Sequence, residues 1–205
     1  MQETEPKLNP ETSAYDKVFA ALQGVSLPKD ILRQIGVRRA GNPIRNLHHH
    51  AFRCRNAEET RHFYEDILGL PLTQTVIKNR NFTPGKSNFC HLFFELGDGS
   101  ALAFFDCTGG LISRGYEPDT GWDHHIALEV EGDHVIEEFK RRLESAGVPT
   151  IYTNHEVYHS LYFNDPNGLN LELVTKSPST DEYERKAPQV AHQQLELWMN
   201  KVHKA

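Results

Sequence analysis

The chain has 205 residues, of which 28 are acidic and 22 basic, so its formal charge at pH 7 is −6 with histidine neutral. Its 38% hydrophobic residues suit one globular domain or two small ones. A mean hydropathy of −0.57, without an apolar run of about 18 residues, argues against a membrane span or a signal peptide. Basic residues are scattered, which argues against nucleic acid or an anionic membrane as partner. We expect a soluble cytoplasmic protein.

The two ends of the chain differ in texture from its middle. Residues 1–45 are polar at the start and then carry helical patterns at 13–22 and 29–35, so we interpret them as a helical arm that packs outside the main fold. Residues 177–205 form a C-terminal extension, in which the pattern at 189–202 predicts a helix with one apolar face.

The middle of the chain, residues 46–176, contains an internal repeat. With an offset of 76 residues, His49 aligns with His125. Each copy shows signals for a strand, an amphipathic helix and three further strands. The sequence therefore predicts one domain built from two modules, at 46–106 and 121–176.

Helix and strand signals follow in the same order in both modules. The first helix begins at Asn56, a good N-cap with Glu59 three residues on, and ends by Gly69. The strands of this module are predicted at 47–52, 72–77, 90–96 and 101–105. The second module is predicted to have a helix at 133–147 and strands at 122–128, 150–153, 160–163 and 169–174. The predicted fold class is α+β, with two βαβββ modules and extra N- and C-terminal helices.

Strand parity assigns side chains to faces, because successive residues of a strand point to opposite sides of the sheet. Phe52 belongs to the apolar set that should pack on the first helix, which leaves His49 on the other face. His125 is placed in the same way by the repeat. On the last strand Leu171 faces the helix and Glu172 does not. His49, His125 and Glu172 are therefore predicted to lie on the faces turned away from the helices.

Four stretches carry a resemblance to a known superfamily. They are His49-His50-Ala51-Phe52-Arg53, Phe63-Tyr64-Glu65-Asp66-Ile67-Leu68-Gly69-Leu70, His125-Ile126-Ala127-Leu128 and Leu161-Tyr162-Phe163-Asn164-Asp165-Pro166-Asn167-Gly168-Leu169-Asn170-Leu171-Glu172. Together with the paired modules, they resemble the vicinal oxygen chelate superfamily, which holds glyoxalase I, bleomycin- and fosfomycin-resistance proteins and type I extradiol dioxygenases. The resemblance implies that the two modules form an open barrel-like cup.

The resemblance also implies where a metal ion would bind. Carried over to this chain, the ligand positions are His49, Ala103, His125 and Glu172. Alanine cannot ligate, so two histidines and one carboxylate remain, and this arrangement is associated with non-haem Fe(II) and O₂ chemistry. Fe(II) is the expected cofactor, and Mn(II), Zn(II) and Ni(II) are the alternatives.

Such a ligand set is typical of extradiol dioxygenases, so the resemblance implies an oxidoreductase of aromatic compound catabolism that cleaves a catechol-like substrate with O₂. Ring cleavage needs a group that takes and returns protons. Tyr162, just before Asp-Pro-x-Gly, is the first candidate for this role, with His159 and His155 after it. Phe93 and Phe105 are predicted to be pocket walls.

Two other functions stay open at this point. One is a metal-dependent lyase, isomerase or thiol transferase of the glyoxalase and fosfomycin-resistance kind, since Mn-dependent transferases share the ligand set. The other is a non-catalytic drug-binding resistance protein, against which the metal ligands argue. All three functions imply a small-molecule partner, and a homodimer is compatible with each because modules of this superfamily pair within or between chains.

Overall fold

The computed structural model describes residues 29–78, 88–108 and 123–202. The helices are α1 (Lys29–Gly41), α2 (Ala57–Arg61), which continues as a π-helical segment (His62–Ile67), α3 (Asp133–Ser145) and α4 (Thr180–Val202). The strands are β1 (His49–Arg53), β2 (Leu72–Lys78), β3 (Asn88–Glu95), β4 (Ala101–Thr108), β5 (Ile126–Glu129), β6 (Ile151–Asn154), β7 (Tyr158–Asn164) and β8 (Asn170–Lys176). The helix predicted at 13–22 lies outside the described residues.

The strands form two four-stranded mixed sheets of identical topology. Their orders are β1-β4-β3-β2 and β5-β8-β7-β6, so in each module the first strand lies beside the last. β1 runs parallel to β4, and β5 runs parallel to β8, because a helix carries the chain across after each first strand. Both sheets are open. The predicted α+β fold with two βαβββ modules is therefore confirmed.

Contacts along the chain divide it into two units. In the described parts, the first unit contains residues 29–43, 154–158 and 176–202. The second contains residues 44–153 and 159–175, and thus nearly all of both modules.

Both modules of the second unit share one apolar core. Alternate residues of β3, β4, β7 and β8 face it, together with one side of α2, its π-helical continuation and α3, as the period of two in the strands requires. Tyr64 and Phe104 have ring centroids 4.7 Å apart, and Tyr64 stacks on Phe94 at 5.2 Å. The faces opposite to these point away from the shared core.

The predicted start of the first helix is confirmed at Asn56. Its side chain accepts a hydrogen bond of 2.9 Å from the backbone N–H of Glu59, which satisfies one of the free donors of the helix N-terminus. After the π-helical segment the chain turns at Gly69, whose φ of 79° lies in the left-handed region that favours glycine.

A buried carboxylate connects the β7–β8 turn to the first module. Asp165 accepts hydrogen bonds from the backbone N–H groups of Asn167 and Leu169 at 2.8 and 2.7 Å, and the Tyr64 hydroxyl donates to it at 3.1 Å. Burial raises the pKa of Asp165 above its ordinary value of 3.8, although these hydrogen bonds oppose the change. The folded protein therefore holds this proton more tightly than the unfolded chain does.

This difference predicts a pH dependence of stability. As the pH rises above about 4, the unfolded chain releases the proton of Asp165 first. The free energy of unfolding should then fall by up to about 1.4 kcal/mol per pH unit until the higher folded pKa is passed. Urea unfolding should show that the free energy of unfolding of the wild type falls across this pH range relative to that of Asp165→Asn. Parallel stability curves would contradict the raised pKa.

The first unit contains the C-terminal helix α4, which is longer than predicted. The helical pattern was expected to begin at residue 189, directly after Pro188, but α4 begins at Thr180 and includes that proline. The Thr180 hydroxyl donates a hydrogen bond to the carbonyl of Val157, and the Ser177 backbone N–H donates to the Thr180 hydroxyl at 2.9 Å. Among the described helices, α4 included, none is long and apolar enough to cross a membrane.

Candidate metal centre

Two of the predicted ligands meet on the outer face of the second module. β5 and β8 pair in parallel with Ala127 opposite Glu172, which places Glu172 on the face away from the core. The Nε2 atom of His125 lies 3.0 Å from a carboxylate oxygen of Glu172. Glu172 is only 7% exposed, whereas the side chain of His125 is about one-third exposed. A buried carboxylate needs such partners, because burial without them is costly.

Tyr162 completes this cluster. Its hydroxyl donates a hydrogen bond of 3.0 Å to the second carboxylate oxygen of Glu172. Its ring meets the ring of His125 edge to face, with centroids 6.0 Å apart. Each oxygen of Glu172 therefore has its own partner, and an imidazole nitrogen, a carboxylate and a phenol converge on one face. Imidazole and carboxylate are the donors that divalent first-row metals take in proteins.

His49 lies on the corresponding face of the first module. Its Nδ1 atom is 2.7 Å from the Nδ1 atom of His48, and this hydrogen bond leaves the Nε2 atom as the nitrogen for another partner. Within residues 29–78, 88–108 and 123–202, no three His, Cys, Asp or Glu side chains lie close enough to hold a metal ion. A single chain thus brings together His125, Glu172 and Tyr162, but not His49.

Ala103 occupies the fourth of the ligand positions carried over from the resemblance. Ala103 pairs with Ala51 of β1 and with Phe93 of β3, so it lies on the same face as His49. It is fully buried. The small side chain leaves room for the neighbouring rings and offers no donor atom to a metal.

The two candidate histidines lie elsewhere. β7 sends His159 to the face opposite that of Tyr162, where its Nδ1 atom lies 2.6 Å from a carboxylate oxygen of Asp133 in the first turn of α3. His155 lies in the β6–β7 turn, within the first unit. Its backbone N–H donates to the carbonyl of Tyr158 at 2.8 Å. Of the three acid-base candidates, the structure places only Tyr162 against Glu172.

The face around His49 carries a row of rings that the sequence reasoning did not assemble. His91 stacks on Phe105 with centroids 3.6 Å apart and touches Phe93 at 4.2 Å, and Phe93 in turn touches His49 at 5.3 Å. Burial first, and His49 second, lower the pKa of His91 below its ordinary value of 6.5. The alternation Phe89-x-His91-x-Phe93 was the signal that could have revealed this row.

Two buried polar atoms on these outer faces have no hydrogen-bond partner among the described residues. They are Nε2 of His91 on the first module and Oγ of Ser160 on the second, where Ser160 shares the face of Tyr162. Buried polar groups in folded proteins are nearly always hydrogen-bonded. These two atoms are therefore available to a hydrogen-bond partner that the described residues do not supply.

Comparison with known families gives one match over most of the chain. Residues 46–173 match the model of the Glyoxalase/Bleomycin resistance protein/Dioxygenase superfamily. The matched range spans both modules and ends one residue after Glu172.

Three solved structures illustrate the similarity. A glyoxylase/bleomycin resistance protein/dioxygenase domain from Frankia sp. is 19% identical with a TM-score of 0.52, over 65% of this chain and 99% of that one, and shows the same fold. An integron cassette protein from the Halifax Harbour sewage metagenome is 27% identical over 64% and 99%, with a TM-score of 0.46. A variant of the fosfomycin resistance protein FosX from Listeria monocytogenes, complexed with Mn(II) and 1S,2S-dihydroxypropylphosphonic acid, is 18% identical over 68% and 98%, with a TM-score of 0.49.

Proposed function

Because this chain belongs to the glyoxalase/bleomycin resistance protein/dioxygenase superfamily, whose members are mostly metalloenzymes acting on small molecules, we propose that it is an Fe(II)-dependent dioxygenase that cleaves a catechol-like ring with O₂. The observation that carries the proposal is the convergence of His125, Glu172 and Tyr162 on one face. Ala103, where glyoxalase-type sites have a carboxylate, leaves the set of two histidines and one carboxylate that suits iron and O₂.

The donor set fits a divalent metal. His125 offers Nε2, Glu172 offers a buried carboxylate, and the 3.0 Å contact between them is the one that a shared metal ion would replace. His49 keeps Nε2 for the same purpose. When bound, the metal would supply Lewis acidity, lowering the pKa of a coordinated substrate hydroxyl, and open positions for the substrate and O₂.

We propose that His49 reaches the other two ligands from a second copy of the chain. The outer faces of both modules turn away from the shared core, and members of this superfamily often form dimers. Among the described strands, β1 and β5 are the sheet edges nearest to His49 and His125. These edges also border an apolar groove of about 520 Å³, lined by Leu47, Leu70, Ile126, Leu128 and Phe139, among others. An unpaired sheet edge can pair with another chain, and a two-fold symmetric interface uses the same surface patch on both copies.

Tyr162 would act as the acid-base group. Its hydroxyl lies within hydrogen-bonding distance of Glu172, one of the proposed ligands, so it is held beside the substrate oxygens. A phenol in this place can give its proton to the ring-opening product, and the phenolate that remains can take the proton that the next substrate hydroxyl loses on binding. The overall reaction adds both atoms of O₂ across one carbon–carbon bond of the ring, so no further reductant is needed.

The direct test is oxygen uptake. Protein loaded anaerobically with Fe(II) and given catechol should consume one O₂ for each ring opened, and the product should be a conjugated ring-opened aldehyde acid with a visible absorption band. Protein treated with a chelator is the control and should consume none. No oxygen uptake by the iron-loaded protein with a panel of substituted catechols would overturn the dioxygenase assignment.

A further inference from the structure

Packing alone does not explain why residue 91, in the row of rings beside His49, is a histidine. Its imidazole is 9% exposed and lies against Phe105 and Phe93, both of them apolar. A phenylalanine would fill this position with similar contacts and without a buried nitrogen. Leaving a buried polar atom unpaired destabilises the folded state, so the residue type points to a use outside the fold.

The rings around His91 form a continuous surface. The order from one end is His49, Phe93, His91, Phe105 and Phe89, and successive centroids are 5.3, 4.2, 3.6 and 5.2 Å apart. They come from β1, β3 and β4, all on the face of the first module that carries a proposed metal ligand. Planar rings stack favourably on aromatic surfaces. This face would therefore accept an aromatic ligand more readily than a branched aliphatic one.

We propose that this face is the substrate-recognition wall of the site and that His91 is its specificity-determining residue, which hydrogen-bonds an oxygen of the aromatic substrate stacked on the row. A neutral imidazole can donate or accept such a bond through Nε2 after a small rotation of the ring. The inference rests on the proposed function in one respect, because it takes the outer faces of the modules as the substrate cavity. Ser160, with its own unpaired buried hydroxyl, occupies the matching face of the second module.

The test compares His91→Phe with the wild type in chelator-treated protein, by calorimetric titration with phenol and with benzene. Loss of one hydrogen bond should weaken phenol binding about tenfold, whereas the affinity for benzene should stay within about twofold. The melting temperature should be unchanged or higher, because the variant removes an unpaired buried nitrogen. A purely structural role predicts the same change for both ligands.

His50→Phe is the matched control. This histidine also lies against a phenylalanine, with its ring 4.2 Å from that of Phe52, but on the opposite face of β1. It should leave the affinity for both ligands unchanged. Equal loss of phenol and benzene affinity in His91→Phe, or no phenol binding by the wild type, would overturn the inference.

Binding to metal-free protein needs neither iron nor O₂. Absence of oxygen uptake together with phenol binding that depends on His91 would therefore remove the dioxygenase proposal and leave the recognition wall in place. Oxygen uptake together with unchanged phenol affinity in His91→Phe would remove the recognition wall and leave the dioxygenase proposal in place.

Discussion

Replacement of Glu172 by glutamine should abolish metal binding. The amide keeps the size of the side chain and can still accept a hydrogen bond from Tyr162, but it loses the negative charge and the good ligand oxygen. Changes to residues that only support metal ligands lower metal affinity about 10- to 100-fold, so loss of a ligand should cost at least about 100-fold. Metal analysis after dialysis against a weak chelator would measure this.

Glu184→Gln is a matched control for Glu172→Gln. Glu184 also accepts a hydrogen bond from a tyrosine, Tyr158, at 3.0 Å, and it also has a basic partner, Lys176, at 2.9 Å. Loss of the Glu184 charge removes an exposed ion pair, and such a pair contributes less than about 1 kcal/mol to the free energy of unfolding. The control should keep its metal. Equal metal content in both variants would show that Glu172 is not a ligand.

A mixture of two inactive variants tests whether the site is shared between copies. His49→Ala retains Glu172, and Glu172→Gln retains His49. If a site takes His49 from one chain and Glu172 from the other, exchange of subunits restores one complete site in each mixed dimer, or about one quarter of all sites. Metal and activity should recover to that level on mixing. Failure to recover, with exchange demonstrated, would contradict a site shared between two copies.

Tyr162→Phe should separate metal binding from turnover. The ring and its contact with His125 remain, whereas the hydroxyl that donates to Glu172 is lost. Acid-base groups typically contribute about 100- to 10,000-fold to a rate, so kcat should fall by that factor while the metal content stays near that of the wild type. Stopped-flow measurement of ring opening gives the rate directly.

The same strand supplies the control for Tyr162→Phe. Tyr158 also donates to a glutamate, and Tyr158→Phe should leave kcat unchanged. A comparable loss of rate in both variants would mean that the phenols act through the stability of the strand. An unchanged rate in Tyr162→Phe would contradict the acid-base role of the Tyr162 hydroxyl.

Much of the fold could be predicted because it repeats. The 76-residue offset between His49 and His125 and the period of two in the strands were enough to define both modules and to put Glu172 on the correct face. These are local signals, and the mixed sheets follow from them once a helix connects the first and second strands of each module. The start of α4 was missed because only the apolar pattern from residue 189 onward was read as helical, whereas the helix begins at Thr180 and includes Pro188.

The site was only partly predictable for a different reason. Parity shows which face a side chain occupies, but it does not show which two faces meet. It therefore grouped His49 with His125 and Glu172, whereas one chain joins only the latter two. Parity alone could have removed His159 from the candidates, because it lies three residues before Tyr162 and therefore faces the opposite side of β7, where it pairs with Asp133.

The metal content of protein purified without oxygen and without added metal tests the proposal of an iron-dependent enzyme most directly. Elemental analysis of the wild type should find close to one iron per chain, and His49→Ala should have lost it. Manganese, zinc or nickel at that level would contradict the assignment of iron and favour the lyase or transferase function. No metal in either protein would contradict the metal centre at His49, His125 and Glu172 altogether.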